Sequence, residues 1–368
     1  MSFMCILEKT QPFPREFHLN HEITPMKFDK LSPITKPRSV SREYDLDAAY
    51  AGIREFNLEQ GDIFTLEDLR PLETKKFVNL DAYPHGFEQD HDVLCWATAI
   101  LSESPLAMAH LSNAQAQGWK IGLSDLGTNG FHLDVSEKII QLDHYGLDAA
   151  SLGRSAFFRN SLICVLAKAL RDIWHEERWG GFEEDFKPEA VMMLERARAA
   201  DTDSISVVIG WELRGAGYSD IWRHILGSEE SDMARVLTNI LERYPTALYN
   251  GMGLAHVFRQ WYADVARVDA LDHSTLEHMD FALRDQKIKF GDKNASAEHF
   301  EILSTLPDNT VYLNELGDTV CRDPFFSGLN DAINQAHLFQ IVYDAKVTYV
   351  AGIPFRDAAL ARKFLNAD

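Results

Sequence analysis

The stretch RSAFFRNSLICVLAKALRDIWHEERW, residues 154–179, is the most apolar helical pattern in the chain. Its apolar side chains recur every three or four residues, which places them on one face of a helix. Two glycines follow at 180 and 181, and glycine commonly ends a helix. We therefore predict a long, largely buried helix over 154–179. The residues on its apolar face are Phe157, Phe158, Leu162, Val165, Leu166, Ala169, Leu170 and Ile173.

Segments on both sides of this stretch complete a small core. Residues 92–117 have helical spacing, and Pro188 opens another helical segment that runs to about residue 213. Alternating runs separated by turn residues are typical of strands. Three such runs lie between the helices: WKIGLSDL (119–126), GFHLDV (130–135) and KIIQLD (138–143). The sequence therefore predicts a predominantly helical α+β fold, in which a small three-stranded sheet packs on long helices.

The chain divides into three predicted domains. Residues 1–90 are an N-terminal arm with a small helical segment, because prolines interrupt the first 45 residues and Thr65 and Asp68 have N-cap spacing. Residues 91–285 form the core domain, and 286–368 form a C-terminal α/β extension packed on it. Within the extension we predict strands in VYLNEL (311–316) and FQIVYDAKVTYVAGI (339–353) and a helix over 356–366.

Composition excludes several functional classes. The 368 residues carry 36 Lys and Arg against 56 Asp and Glu, a formal net charge of −20. Phosphate-driven binding of nucleic acid and docking on an anionic membrane both need cationic side chains, so neither partner is expected. No apolar run reaches the roughly 18 residues of a membrane-spanning helix. Glu8, Lys9 and Pro12 come too early for a signal-peptide core.

The cysteines indicate a reducing compartment. Cys5, Cys95, Cys164 and Cys321 are far apart and form no Cys-x-x-Cys pair. This usage predicts neither a disulfide scaffold nor a cysteine zinc site. We therefore expect a cytoplasmic protein. The sequence does not indicate an oligomeric state.

One segment carries part of a metal motif. His175-Glu176-Glu177-Arg178-Trp179 begins like the zinc helix H-E-x-x-H, in which two histidines four residues apart bind one ion. Trp179 stands where the second histidine would be, and the segment lies at the predicted helix end. His175 and Arg178 are better explained as cationic groups near a helix C-terminus.

The residues around this helix resemble a known family. KIIQLD (138–143), LRDIW (170–174), a stretch of arginine, alanine and aspartate before IGWEL (209–213), and EILSTLPDNTVYLNE (301–315) carry the resemblance. The region is similar to a bacterial metallopeptidase-domain family of unknown function. The resemblance implies a zincin-like core, in which a strand beside the long helix holds substrate by its edge.

The resemblance also assigns the metal positions. Family members would have H-E-L-R-H-A-W where this chain has KALRDIW, residues 168–174. Lys168 then occupies the first ligand position, Ala169 the general-base position and Asp172 the second ligand position, with Asp201 as the acidic third. A protonated lysine does not bind zinc, and alanine accepts no proton. We therefore predict a degenerate zinc site with no bound cofactor.

A cation in the metal position needs anionic partners. Lys168 and Asp172 are four residues apart and share a helix face, and Asp201 lies on the next helix. One hypothesis is a buried Lys168–Asp172–Asp201 ion cluster in place of zinc. The alternative is that Lys168 and Asp172 form an ordinary exposed pair.

Three functions remain open. The leading hypothesis is an inactive metallopeptidase-like protein that binds a peptide or protein partner through a strand edge. The second is an active zinc-dependent hydrolase that uses a shifted ligand set of His175, Glu176 and either Asp201 or Asp203. The third is a metal-free acid–base enzyme with Asp172 and Asp201 in its cleft, which would require a raised carboxyl pKa.

Overall fold

Four strands form one mixed sheet in the computed structural model of the protein, which describes residues 62–69, 87–127, 130–284, 288–350 and 353–355. They are β1 (Ile63–Thr65), β2 (Lys120–Ser124), β3 (Phe131–Asp134) and β4 (Ile139–Asp143). The order is β1-β2-β4-β3; β2 and β4 are parallel, and each outer strand is antiparallel to its neighbour. Every residue of β4 is buried, as expected of a strand covered on both faces.

Helices make up most of the described chain, so the predicted class, a predominantly helical α+β fold, is confirmed. Within the described ranges a two-stranded hairpin, β5 (Thr348–Val350) and β6 (Ile353–Phe355), follows the last helix. The helices are α1 (Asp90–Leu101), α2 (Pro105–Ala116), α3 (Ala149–Arg154), α4 (Ala156–Trp179), α5 (Pro188–Gly215), α6 (Ser219–Gly227), α7 (Ser231–Arg243), α8 (Met252–Trp261), α9 (Val265–Arg284), α10 (Ala297–Leu303), α11 (Gly317–Arg322), α12 (Pro324–Ser327) and α13 (Ala332–Asp344).

Helices α4 and α5 form the centre of the molecule. The Ser155 side chain caps α4 by accepting from the Phe158 backbone N–H, and Pro188 occupies the first turn of α5. Leu162, Leu166 and their apolar neighbours on α4 are buried against α5 and the sheet. Each fully buried leucine contributes about 1.5–3 kcal/mol. Phe157 is an exception, because it is 63% exposed and not buried as predicted. The rest of the apolar face read from the sequence holds the two long helices together.

The structure differs from the predicted helix start at Thr65 and Asp68. Thr65 and Asp68 do not begin a helix: the Thr65 backbone ends β1, which pairs with β2. Their side chains instead hydrogen-bond across a turn, with Thr65 Oγ1 2.5 Å from Asp68 Oδ2. Ile63 and Phe64 favour a strand because β2 offers them a free antiparallel edge. The sheet consequently has four strands where three were predicted.

The C-terminal extension also differs. Val311 makes only an isolated bridge to Thr305, and residues 312–316 form turns. Tyr312, Leu313 and Leu316 are all buried in the same core, whereas an alternating strand would place neighbours on opposite faces. Residues 339–344 belong to α13, whereas the predicted strand further along is present as β5 and β6. The predicted arm and the helix over 356–366 lie outside the described residues. The division into three domains stays a prediction.

Among the described residues, no helix combines the length and the apolar character needed to cross a membrane.

Candidate functional site

The facing sides of α4 and α5 carry charged residues that interact in three separate groups. The first is centred on Lys168, the second on Arg171 and Asp201, and the third on Arg198 of α5. Burying charge is unfavourable unless each charged group is paired, so this interface depends on its partners.

Lys168 lies between two carboxylates. Its Nζ is 2.8 Å from Asp203 Oδ1 on α5 and 2.5 Å from Glu230 Oε1, which lies just before α7. Trp261 Nε1 donates to the other Asp203 oxygen at 2.8 Å, and Ser228 Oγ donates to Glu230 Oε2 at 2.5 Å. We call Lys168, Asp203 and Glu230 the lysine triad.

The lysine triad is mostly shielded from water. The side chains of Lys168, Asp203 and Glu230 are 24%, 20% and 16% exposed. Burial alone would lower the pKa of the Lys168 ammonium, but the two carboxylates raise it above its ordinary value. Burial likewise would raise the pKa of Glu230, but Lys168 and Ser228 lower it to about 2. Lys168 and Glu230 are therefore both charged at neutral pH.

The predicted Lys168–Asp172–Asp201 cluster is wrong in its acidic members. Asp172 pairs with Arg198 at 2.6 Å, and Arg198 Nη2 is 3.0 Å from Glu176. Residues two positions apart on a helix point about 200° apart, so Asp201 and Asp203 turn to different partners. Asp203, not Asp201, reaches Lys168. The alternative of an ordinary exposed Lys168–Asp172 pair is also wrong.

Asp201 is a fully paired structural carboxylate. Arg171 holds it with two nitrogens, at 2.5 Å from Nε and 3.1 Å from Nη2. His175 Nε2 is 2.7 Å away, and the Tyr312 hydroxyl donates to it at 2.6 Å. Arg171 also donates to the Leu303 and Thr305 carbonyls at 3.0 Å. We call Asp201 and its partners Arg171, His175 and Tyr312 the Asp201 group. This group fastens both long helices to the segment between α10 and α11.

This pairing argues against an acid–base role for Asp201. Burial alone would raise its pKa, but Arg171 and His175 hold that pKa well below its ordinary value. Burial and the Arg171 charge lower the pKa of His175. A carboxyl that stays ionised is a poor proton donor near neutral pH. The raised pKa that the third hypothesis requires is absent at Asp201.

The shifted zinc set is not brought together. His175 contacts Asp201, but Glu176 turns to Arg198 and Asp203 to Lys168. Within the described ranges, no three His, Cys, Asp or Glu side chains are arranged to hold a metal ion. The Lys168 position does not fit zinc either, since its donor is a protonated amine between carboxylates.

Sequence reasoning missed several members of these groups. Glu230 lies 62 residues from Lys168 in a loop, and Tyr312 lies 111 residues from Asp201, so neither has a local signal. Arg171 and Arg198 were available as a signal, since both are cations within the apolar helices. Their partners depend on how the helices pack, which spacing within one helix does not determine.

The comparison with protein families gives one match. Residues 154–313 match the family described as "Putative metallopeptidase family (DUF6782)". The matched segment runs from the last residue of α3 to just beyond α10 and contains the lysine triad and the Asp201 group. The resemblance drawn from the sequence is thus confirmed over these residues. Searches of curated proteins and of solved structures returned no match.

Proposed function

We propose that this chain, whose residues 154–313 match the putative metallopeptidase family, binds an extended peptide and carries out no zinc-dependent hydrolysis. The observation that carries the proposal is the lysine triad. A protonated amine, held by Asp203 and Glu230, lies on α4 at the position that the family resemblance assigns to the first zinc ligand.

The chemistry of these side chains supports loss of the hydrolytic step. Zinc ligands must offer a lone pair, and the paired Lys168 ammonium has none to offer. The general-base position is Ala169, a fully buried methyl group that accepts no proton. Hydrolysis by a zinc-bound water needs both a metal and a base, and this helix supplies neither function.

The edge of the sheet supports peptide binding. Among the described strands, β3 pairs only with β4, and it packs against α4. The Asp143 N–H donates to the Gly130 carbonyl, and Phe131 lies opposite Leu142. Because hydrogen-bonded and non-hydrogen-bonded pairs alternate, the backbone groups of Phe131 and Leu133 point away from β4. An extended peptide can add there as a further strand.

Metal content tests the loss of zinc chemistry. After incubation with zinc and dialysis, the purified protein is expected to retain only substoichiometric metal and to cleave no peptide. The variant Lys168→His/Ala169→Glu/Asp172→His is expected to retain about one zinc ion, because histidines four apart on a helix are zinc ligands. Lys293→His controls for an added surface histidine. Stoichiometric zinc in the parent, with peptide cleavage lost on chelation, would overturn the proposal.

Substitution in β3 tests the peptide edge. Leu133→Pro removes an outward N–H without removing a bond to β4. We expect it to weaken binding of extended peptides from a random decapeptide library by about fivefold, since a main-chain hydrogen bond contributes about 1 kcal/mol. Leu133→Val keeps the N–H and is expected to bind like the parent. Fluorescence anisotropy measures the affinities. If the proline variant binds as tightly as the parent at an unchanged melting temperature, the peptide does not bind along the edge of β3.

A further inference from the structure

A cavity lies apart from the lysine triad. It has a volume of about 300 Å³ and lies between α2, α5, the start of α8 and residues 306–310. No member of the lysine triad or of the Asp201 group lines it. Most of its wall is apolar, formed by Leu106, Val208, Leu248, Leu254, Leu306 and Pro307. This volume is at the lower end of the roughly 300–1,000 Å³ seen for small-molecule sites.

One partly buried carboxylate, Glu212, faces this apolar wall. Its Oε2 atom accepts from Ser104 Oγ at 2.5 Å and from the Leu106 backbone N–H at 3.1 Å. In the part of the chain that the structure describes, both of these bonds go to Oε2. Burial raises the pKa of the Glu212 carboxyl, although the two hydrogen bonds lower it. Capping α2 therefore uses one carboxylate oxygen and leaves the other for a ligand.

The other charged residue on the cavity wall is negative, like Glu212. Asp308 is the second carboxylate on the wall, and its Oδ1 accepts from the Thr310 backbone N–H at 2.9 Å. No Lys, Arg or His side chain is among the described residues that line the cavity. An apolar cavity with two carboxylates favours a cation attached to an apolar group, because hydrogen bonds between opposite charges are the stronger ones.

We propose that this cavity binds a primary ammonium group carried on a small branched apolar body, with Glu212 as its main partner. Two sources share this chemistry: a free aliphatic amine, and the N-terminus of a peptide whose first side chain is apolar. The proposal does not depend on the β3 edge or on the absence of zinc.

Titration with four small probes tests the proposal on the full chain. We expect 3-methylbutylamine and leucinamide to bind, as followed by NMR or calorimetry. Their uncharged counterparts, 3-methylbutanol and N-acetyl-leucinamide, are expected to bind about tenfold more weakly or less, since they lack the charge. Tighter binding of leucinamide identifies a peptide N-terminus, and tighter binding of 3-methylbutylamine identifies a free amine.

Two variants place the binding in this cavity. Glu212→Gln keeps an oxygen to cap α2 but removes the charge, and Ala109→Leu fills the cavity without touching Glu212; both are expected to abolish amine binding. Met108→Leu, on the exposed side of α2, is the matched control and is expected to bind normally. Equal affinity for 3-methylbutanol and the amine, or amine binding retained by a folded Glu212→Gln protein, would overturn the proposal.

Discussion

Replacing Asp201 with asparagine is expected to lower the free energy of unfolding by about 3–5 kcal/mol, because it leaves a buried arginine without its counter-charge. Asp201 is 1% exposed and Arg171 0%, so water replaces none of the lost interaction. The same change weakens the bonds from His175 and Tyr312. Denaturant unfolding of the parent and variant at neutral pH measures the difference.

Two further variants set the scale for this effect. Tyr312→Phe removes one hydrogen bond from the same carboxylate and is expected to lower stability by about 1 kcal/mol. Asp220→Asn breaks the Asp220–Arg223 pair, whose side chains are 68% and 70% exposed, and is expected to change stability little. If Asp201→Asn unfolds like Asp220→Asn, the Asp201 group is not the fastening between helices that its geometry indicates.

Replacing Lys168 with methionine is expected to destabilise the protein by about 2–3 kcal/mol, because Asp203 and Glu230 then lie close together without a cation. We place the effect below that of Asp201→Asn, since about a quarter of the Lys168 side chain is exposed and solvent screens part of the charge. Methionine fills a similar volume, so the loss reports charge and not packing.

The pH dependence separates the charge effect from packing. In the parent, burial would raise the pKa of Glu230, but Lys168 and Ser228 lower it from 4.5 to about 2. The stability gained from this carboxylate is therefore complete above pH 4.5 and is lost as pH falls towards 2. The deficit of Lys168→Met is therefore expected to be larger at pH 7 than at pH 4. A deficit that is equal at both pH values would indicate a packing defect. Neutralising all three residues, with Asp203→Asn and Glu230→Gln added, is expected to recover part of the stability.

The sequence predicted those helices and strands in which the buried side chains recur at one regular spacing. The proline start of α5, the three strands of residues 119–143 and the apolar face of α4 beyond Phe157 are present as predicted, because side-chain spacing there coincides with burial. The turns over 312–316 and the strand β1 were not predicted. Both depend on a partner distant in sequence: the Asp201 group for Tyr312, and the open edge of β2 for Ile63.

The candidate site, too, could be predicted from the sequence only in part. The sequence indicated that Lys168 needed anionic partners, because a cation beside apolar neighbours such as Leu166 and Ala169 is costly to bury alone. Asp203 and Glu230 meet that requirement, but the sequence did not identify them. Asp201 and Asp203 differ by two positions, and the rotation of α5 against α4 decides which of them meets the lysine.

The sequence by itself determined the helical class, the family match over the central residues and the presence of a lysine within the apolar pattern of α4. These follow from residue type and spacing along one chain segment. Only the tertiary structure decided which carboxylates hold Lys168, that Asp201 belongs to Arg171, and that Glu212 faces a separate cavity. Arg171 and Asp201 are 30 positions apart and Lys168 and Glu230 are 62 apart, and the energies of these pairs depend on distance and burial that no local pattern encodes.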